Sequence, residues 1–201
     1  MDEIAVNLVI EDILSKAVLY RIIQYLPQSY TIGISYGYKG SGWIHKRIKG
    51  FNNAAKGMPY LVLTDLDQCE CPPILLREWL GEVKHNNLLF RVAVKEVESW
   101  ILASRQKFAR FAGISQVKIP VKVDDIEKPK EFLVDLVKRS RNKDLRMDMV
   151  PRMGSTAKVG PDYNGRLISF INNYWDINEA RKNSESLDRT WKALSEFKPL
   201  R

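Results

Sequence analysis

Residues 60–73, YLVLTDLDQCECPP, run from a dense apolar strand straight into two aspartates, Asp65 and Asp67. Pro72 and Pro73 then open a helix, ILLREWLGEV, because a first turn tolerates proline's missing N–H. Working outward, the same strand-to-helix pattern recurs on both sides. Upstream, residues 3–10, EIAVNLVI, read as a buried strand, and AVLYRIIQYL (17–26) is a helical stripe that Pro27 helps to end. YTIGISY (30–36) is a second strand closed by GYKGSG, and WIHKRIKGFNNAAKG is a helix stopped at Gly57-Met58-Pro59. Downstream, LLFRVAV (88–94) is a fourth strand, and VESWILASRQKFARFAG reads as one amphipathic helix ended by Gly113. Such alternation predicts an α/β fold: a mostly parallel four-stranded sheet flanked by helices.

The regularity falls away beyond residue 113, which places an α/β domain at 1–113 and a basic extension at 114–201. VKIPVKVDDIEKPK is loop-like, EFLVDLVKRS a short helix, and MVPRMGSTAKVGPDYNG rich in turn residues. RLISFINNYW and SLDRTWKALSEF read as two closing helices, so the extension is mainly helical and irregular.

At 201 residues and 45% hydrophobic, the chain can bury a core without a disulfide. Cys69 and Cys71 are too close together to staple the fold. MDEIAVNLVIED lacks a basic leader, and no apolar run approaches ~18 residues. A cytoplasmic protein with no membrane partner is the expectation. The net charge of +8 lies entirely in residues 105–201, where 21 Lys and Arg face 13 Asp and Glu; residues 1–104 hold 11 of each. Six basic residues against two acidic ones crowd 138–152, KRSRNKDLRMDMVPR. A basic half beside an acid-dotted half suits an enzyme acting on a polyanion; a solvated charged face is the alternative.

In parallel α/β folds the chemistry gathers at the carboxyl ends of strands. Acids fall at three such ends: Glu11-Asp12, Asp65 with Asp67, and Glu96 with Glu98. Where the third strand curls, Asp65 and Asp67 can turn toward one hard cation, Mg²⁺ or Mn²⁺, which takes oxygen ligands and keeps several waters. Glu11 could complete the site or move a proton. Other readings stay open: a polar turn capping the next helix, a phosphatase nucleophile pair like that of haloacid-dehalogenase-like enzymes, or a glycosyltransferase metal motif. Neither of the two enzyme readings accounts for the acids after strands 1 and 4.

A Glu after strand 1 (Glu11 in LVIEDILS) and a DxD after strand 3 (Asp65 and Asp67 in VLTDLDQ) resemble the Toprim fold of primases, topoisomerases and overcoming-lysogenization-defect nucleases. VKEVESWILAS, with Glu98 and Trp100, is similar to the segment after strand 4 in a Toprim-like family, the domain of unknown function numbered 4276. KPKEFLVDL and GPDYNGRLISFI also resemble that group. The resemblance covers about residues 4–112 in outline. It implies Mg²⁺-dependent cleavage or transfer at phosphodiester bonds, with Glu11 as general acid/base or ligand, Asp65 and Asp67 as ligands, and Glu98 as a further ligand or orienter. The chain departs from the family pattern at Asp12, where Gly is usual, and at Ser15 and Ser104, where acids are usual. Those departures imply fewer metals, a substituted ligand for which Asp12 is the candidate, or a lapsed active site. A phage-defence nuclease, with a partner ATPase or other neighbouring protein, is the implied biology. The alternative is a non-catalytic nucleic-acid- or protein-binding module with a degenerate metal site.

Nucleic acid is the expected partner. Lys39, Lys46 and Arg47 near GYKGSG, and Arg139, Arg141, Lys143, Arg146, Arg152, Lys158 and Arg166 in the basic half, are the candidate phosphate contacts, with Tyr163 beside them. GYKGSG could offer backbone N–H groups to a phosphate, or be a plain turn. His45 and His85 do not form a zinc ligand set. Trp79, Trp100, Trp175 and Trp191 read as core, with Trp43 partly exposed.

Overall fold

The computed structural model describes residues 3–81 and 83–200. Four strands are present, β1 (Ile4–Ile10), β2 (Tyr30–Gly37), β3 (Tyr60–Asp65) and β4 (Leu88–Ala93), all parallel in the order β2-β1-β3-β4. The expected α/β class and parallel four-stranded sheet are what the chain adopts. Each strand connects to the next through a helix, as parallel pairing requires: α1 (Ile13–Gln24), α2 (Ser41–Ala54) and α3 (Pro72–Leu80). The central strands are near-continuous apolar runs, because a parallel sheet covered on both faces has no polar side. Val9, Val62 and Phe90 share one core cluster with Ile44, Ile48, Leu75 and Trp79 from α2 and α3. The helix α1 packs instead against β1 and β3 with Leu14, Val18 and Ile22 fully buried. Each such side chain contributes about 1.5–3 kcal/mol of burial free energy.

The chain divides into two compact units, one of Met1–Val94 with Asp188–Arg201 and one of Lys95–Leu187. The change therefore comes as soon as β4 ends, earlier than the expected boundary at 113, and the last segment returns to the sheet. That return is fastened by polar contacts at the amino ends of the strands. Tyr30 donates to the Leu194 carbonyl at 2.6 Å, Gln28 donates to the Ser195 carbonyl, and Asn87 exchanges two hydrogen bonds with Leu200 at 2.8 and 3.0 Å.

The second unit is helical: α4 (Val97–Ala103), α5 (Arg105–Ala112), α6 (Pro129–Lys138), α7 (Lys143–Met149), α8 (Tyr163–Asn173), α9 (Ile177–Asn183) and the start of α10 (Glu185–Ser195), with two short 3-10 turns. The single helix expected over VESWILASRQKFARFAG is two helices broken at Ser104. Buried Ser104 donates its hydroxyl to Glu179 and accepts the Asp176 N–H, both at 3.1 Å. That pair of bonds holds the break. No helix among the described residues is long and apolar enough to cross a membrane.

Candidate functional site

The register of β1 on β3 pairs Ile10 with Leu63. One residue further along, Glu11 therefore lies beside Thr64. Its carboxylate accepts the Thr64 hydroxyl and, at 2.8 Å, the backbone N–H of Asp65, both through Oε1. Thr64 is 1% exposed, so these bonds form inside the protein. Burial is the main cause pushing the Glu11 carboxyl above its ordinary value. The Thr64 and Asp65 hydrogen bonds oppose that shift, while the charges of Asp67 and Asp12 add to it.

The DxD is shaped by what lies between its acids. Leu66 is 2% exposed in the core cluster and donates its N–H to Ala93 at 2.9 Å. Anchoring Leu66 leaves Asp65 half-buried and Asp67 exposed, with Asp67 in the left-handed region at φ 50°. Three non-glycine residues with positive φ occur among the described residues: Tyr38, Asp67 and Lys95. Each lies within two residues of the carboxyl end of a strand, β2, β3 and β4 respectively. Such conformations cost of order 1–3 kcal/mol each and cluster where function requires a particular backbone path.

Asp12 has a structural task. Its side chain accepts the Ser15 N–H at 2.8 Å and caps α1. Ser15 itself is 2% exposed and lies on the buried face of α1. The GYKGSG loop is tied to the strand carrying Glu11. Tyr38 donates its N–H to Ile10, and Gly40 its N–H to Glu11, both at 3.1 Å. Gly37 is required there, since a Cβ would sit 1.9 Å from the Ile10 carbonyl oxygen.

Glu98 belongs to the helical unit, and in it three of the singled-out sequence elements meet. Its carboxylate, 1% exposed, accepts the Tyr163 hydroxyl at 3.2 Å and pairs with Lys130 Nζ at 3.4 Å. Lys130 comes from KPKEF and Tyr163 from GPDYNG. The Lys130 backbone N–H is held in turn by the Glu96 carboxylate at 2.7 Å. Tyr163 is therefore an interior hydrogen-bond donor and not part of a phosphate-gripping surface.

Among the basic candidates, Lys39, Lys46 and Arg47 are exposed on the sheet unit. In the helical unit Arg139, Arg141, Lys143, Arg152 and Lys158 are exposed and make no ion pair among the described residues. Arg166 is bound to Asp148 at 2.5 Å, and Arg146 donates to the Ser140 carbonyl. A groove of about 350 Å³ is lined by Lys138, Arg146, Met147, Val150, Pro151 and Arg152.

No group of three or more His, Cys, Asp or Glu side chains placed to hold a metal ion occurs among the described residues. Glu11 is joined to Asp65 by a hydrogen bond and feels the charges of Asp67 and Asp12. This donor set fits a hard cation that takes one or two carboxylates, keeps its waters and shares a phosphate ligand; it does not fit an all-protein cage. Two hollows of about 650 and 730 Å³ in the sheet unit open at the amino ends of the strands, away from these acids. The carboxyl edge is preferred as the site because the acids, the strained backbone and the perturbed Glu11 all lie there.

Thr64, Lys130 and Lys16 are the residues that sequence reading missed. Thr64 is visible only through register, and Lys130 only once Glu98 has a neighbour to name. Lys16 carries a faint signal, a lysine four residues before Tyr20 in a helix. Comparison of the chain with family models, curated proteins and solved structures brings no match.

Proposed function

We propose that the carboxyl edge of the sheet unit is a Mg²⁺- or Mn²⁺-dependent site for cleaving or transferring phosphodiester bonds of nucleic acid, on a Toprim-like frame. The observation that carries this reading is Glu11: a carboxyl clamped by Thr64 and Asp65, with its pKa raised by burial and by neighbouring acids. Such a group can accept and return a proton nearer neutral pH than an ordinary glutamate. Asp65, at the end of β3, and Asp67, two residues on, would supply oxygens to the cation, with Leu66 anchored between them. The cation, when bound, would stabilise charge on the scissile phosphate and acidify its water. Exposed cations on both units support a polyanionic substrate, since phosphate contacts need no sequence-specific geometry. A cytoplasmic, phage-defence setting with a partner ATPase belongs to the same proposal.

A second reading is favoured by one observation: the described acids do not gather into a ready three-ligand group. On that reading the basic surface binds nucleic acid or a protein and the metal site has lapsed. The test is cleavage of labelled DNA and RNA, single-stranded and duplex, with and without Mg²⁺ or Mn²⁺. Turnover lost on EDTA treatment and in Asp65→Asn supports the enzyme. Turnover retained in Asp65→Asn and Glu11→Gln, or none on any substrate, leaves the binding module.

A further inference from the structure

The solvent face of α1 is aromatic and cationic where a charged or small polar face would be usual. Tyr20 is 36% exposed and Tyr38 42% exposed, and one ammonium sits against both rings. Lys16 Nζ is 5.3 Å from the Tyr20 ring centroid and 5.6 Å from that of Tyr38. Lys16 makes no ion pair among the described residues, and hydrogen bonding to Tyr38 holds its pKa above the ordinary lysine value. The charge is therefore retained. Tyr38 is presented by a strained backbone, φ 63°, clamped to Ile10 through its own N–H. The next clamp, from Gly40, falls on the Glu11 carbonyl, so the ring is fixed to the chain segment that carries the proposed general base. Beyond the loop the motif repeats, with the Arg47 guanidinium stacked 4.6 Å from the Trp43 ring centroid. Lys39 and Lys46 are exposed nearby in sequence.

Half-exposed rings alternating with cations that make no ion pair among the described residues match the chemistry of an unpaired nucleic-acid strand. Each base offers a π-face for stacking, and each phosphate a negative charge. A duplex keeps its bases stacked inside and offers such rings only its backbone. A protein ligand would call for hydrogen-bonding or acidic complementarity that this strip does not single out. We infer that Tyr20, Lys16 and Tyr38 form a stacking platform for single-stranded nucleic acid beside the Glu11 segment. This rests on the proposed function for its substrate class and sharpens it to an unpaired strand.

The test is fluorescence anisotropy with a labelled oligothymidylate and a hairpin duplex of matching length, in EDTA so that no cleavage enters the reading. The wild-type protein should bind the single strand more tightly than the duplex. Tyr38→Gly removes the ring at a backbone position glycine adopts freely. It and Tyr20→Ala should each weaken single-strand binding roughly tenfold, with duplex binding unchanged. Tyr38→Phe, which keeps the ring, should retain the single-strand preference. Equal loss on both substrates, no loss in either variant, or no wild-type preference for the single strand overturns the platform. Thermal melts of each variant verify folding. Metal-dependent cleavage that persists when the anisotropy pattern fails defeats only the platform; the expected anisotropy without any cleavage defeats only the catalytic reading.

Discussion

Glu11, just past β1, accepts the backbone N–H of Asp65, at the end of β3, at 2.8 Å. Parallel pairing of these two strands thus locks together the two acids on which the proposed chemistry depends. Thr64 completes the clamp from within the sheet.

Burial of the clamped Glu11 makes a prediction about pH. The folded-state pKa of Glu11 is raised above its ordinary value, with burial as the largest cause. Its contribution to stability is therefore fully present below the unfolded-state pKa and lost as pH rises through the folded-state value. Glu11→Gln should raise Tm at pH 7, and the gain should shrink toward zero below the unfolded value of 4.5. A pH series of thermal melts measures this; a gain that grows toward low pH would contradict the dominance of burial over the Thr64 and Asp65 hydrogen bonds at Glu11.

Thr64→Val keeps the shape of a side chain 1% exposed but removes its hydroxyl. Losing a hydrogen bond to a carboxylate should cost about 1–3 kcal/mol by urea denaturation, and should reduce any Glu11-dependent turnover. A neutral effect on both would mean that Thr64 does not hold Glu11.

In the helical unit, Glu98 is a buried carboxylate served by Lys130 and Tyr163. Tyr163→Phe should cost about 1 kcal/mol. Lys130→Met should cost more, of order 1–3 kcal/mol, held down because its side chain is 36% exposed. Chemical denaturation of both variants checks the order. Equal, negligible effects would show that Glu98 is held elsewhere.

The exposed cations that make no ion pair among the described residues make a prediction about salt. If Arg139, Arg141 and Lys143 touch phosphates, each alanine substitution should lower the slope of log K against log salt by about 0.7–0.9. Arg166→Ala should leave the slope unchanged, because that guanidinium already serves Asp148. Anisotropy titrations across a salt series separate the two, and a flat wild-type response would remove nucleic acid from the account.

The parallel sheet was legible because both-face burial writes itself as uninterrupted apolar runs, and EIAVNLVI and YLVLT are such runs. The proline pair at 72–73 marked the start of α3 for an equally local reason. The break at Ser104 was not legible, since its cause is a long-range pair of bonds to residues 176 and 179. α7 and α9 are seven residues each, too short for helical periodicity to declare itself among turn residues. The acids of the candidate site were readable by position. Their supports were not: Thr64 needs the β1–β3 register, and Lys130 and Tyr163 need the folding of a segment with little pattern of its own.

The central claim is that Glu11 and Asp65 belong to a metal-dependent phosphodiester site. Its most direct test is a Mg²⁺ and Mn²⁺ titration followed by calorimetry and, in parallel, by cleavage of labelled single-stranded and duplex nucleic acid. The comparison is between wild-type protein and the Glu11→Gln/Asp65→Asn double variant. Saturable metal binding and metal-dependent cleavage are expected of the wild type, and loss of both in a double variant whose melt shows it folded. Cleavage that survives in the double variant, or a wild type that neither binds metal nor cleaves, would contradict it.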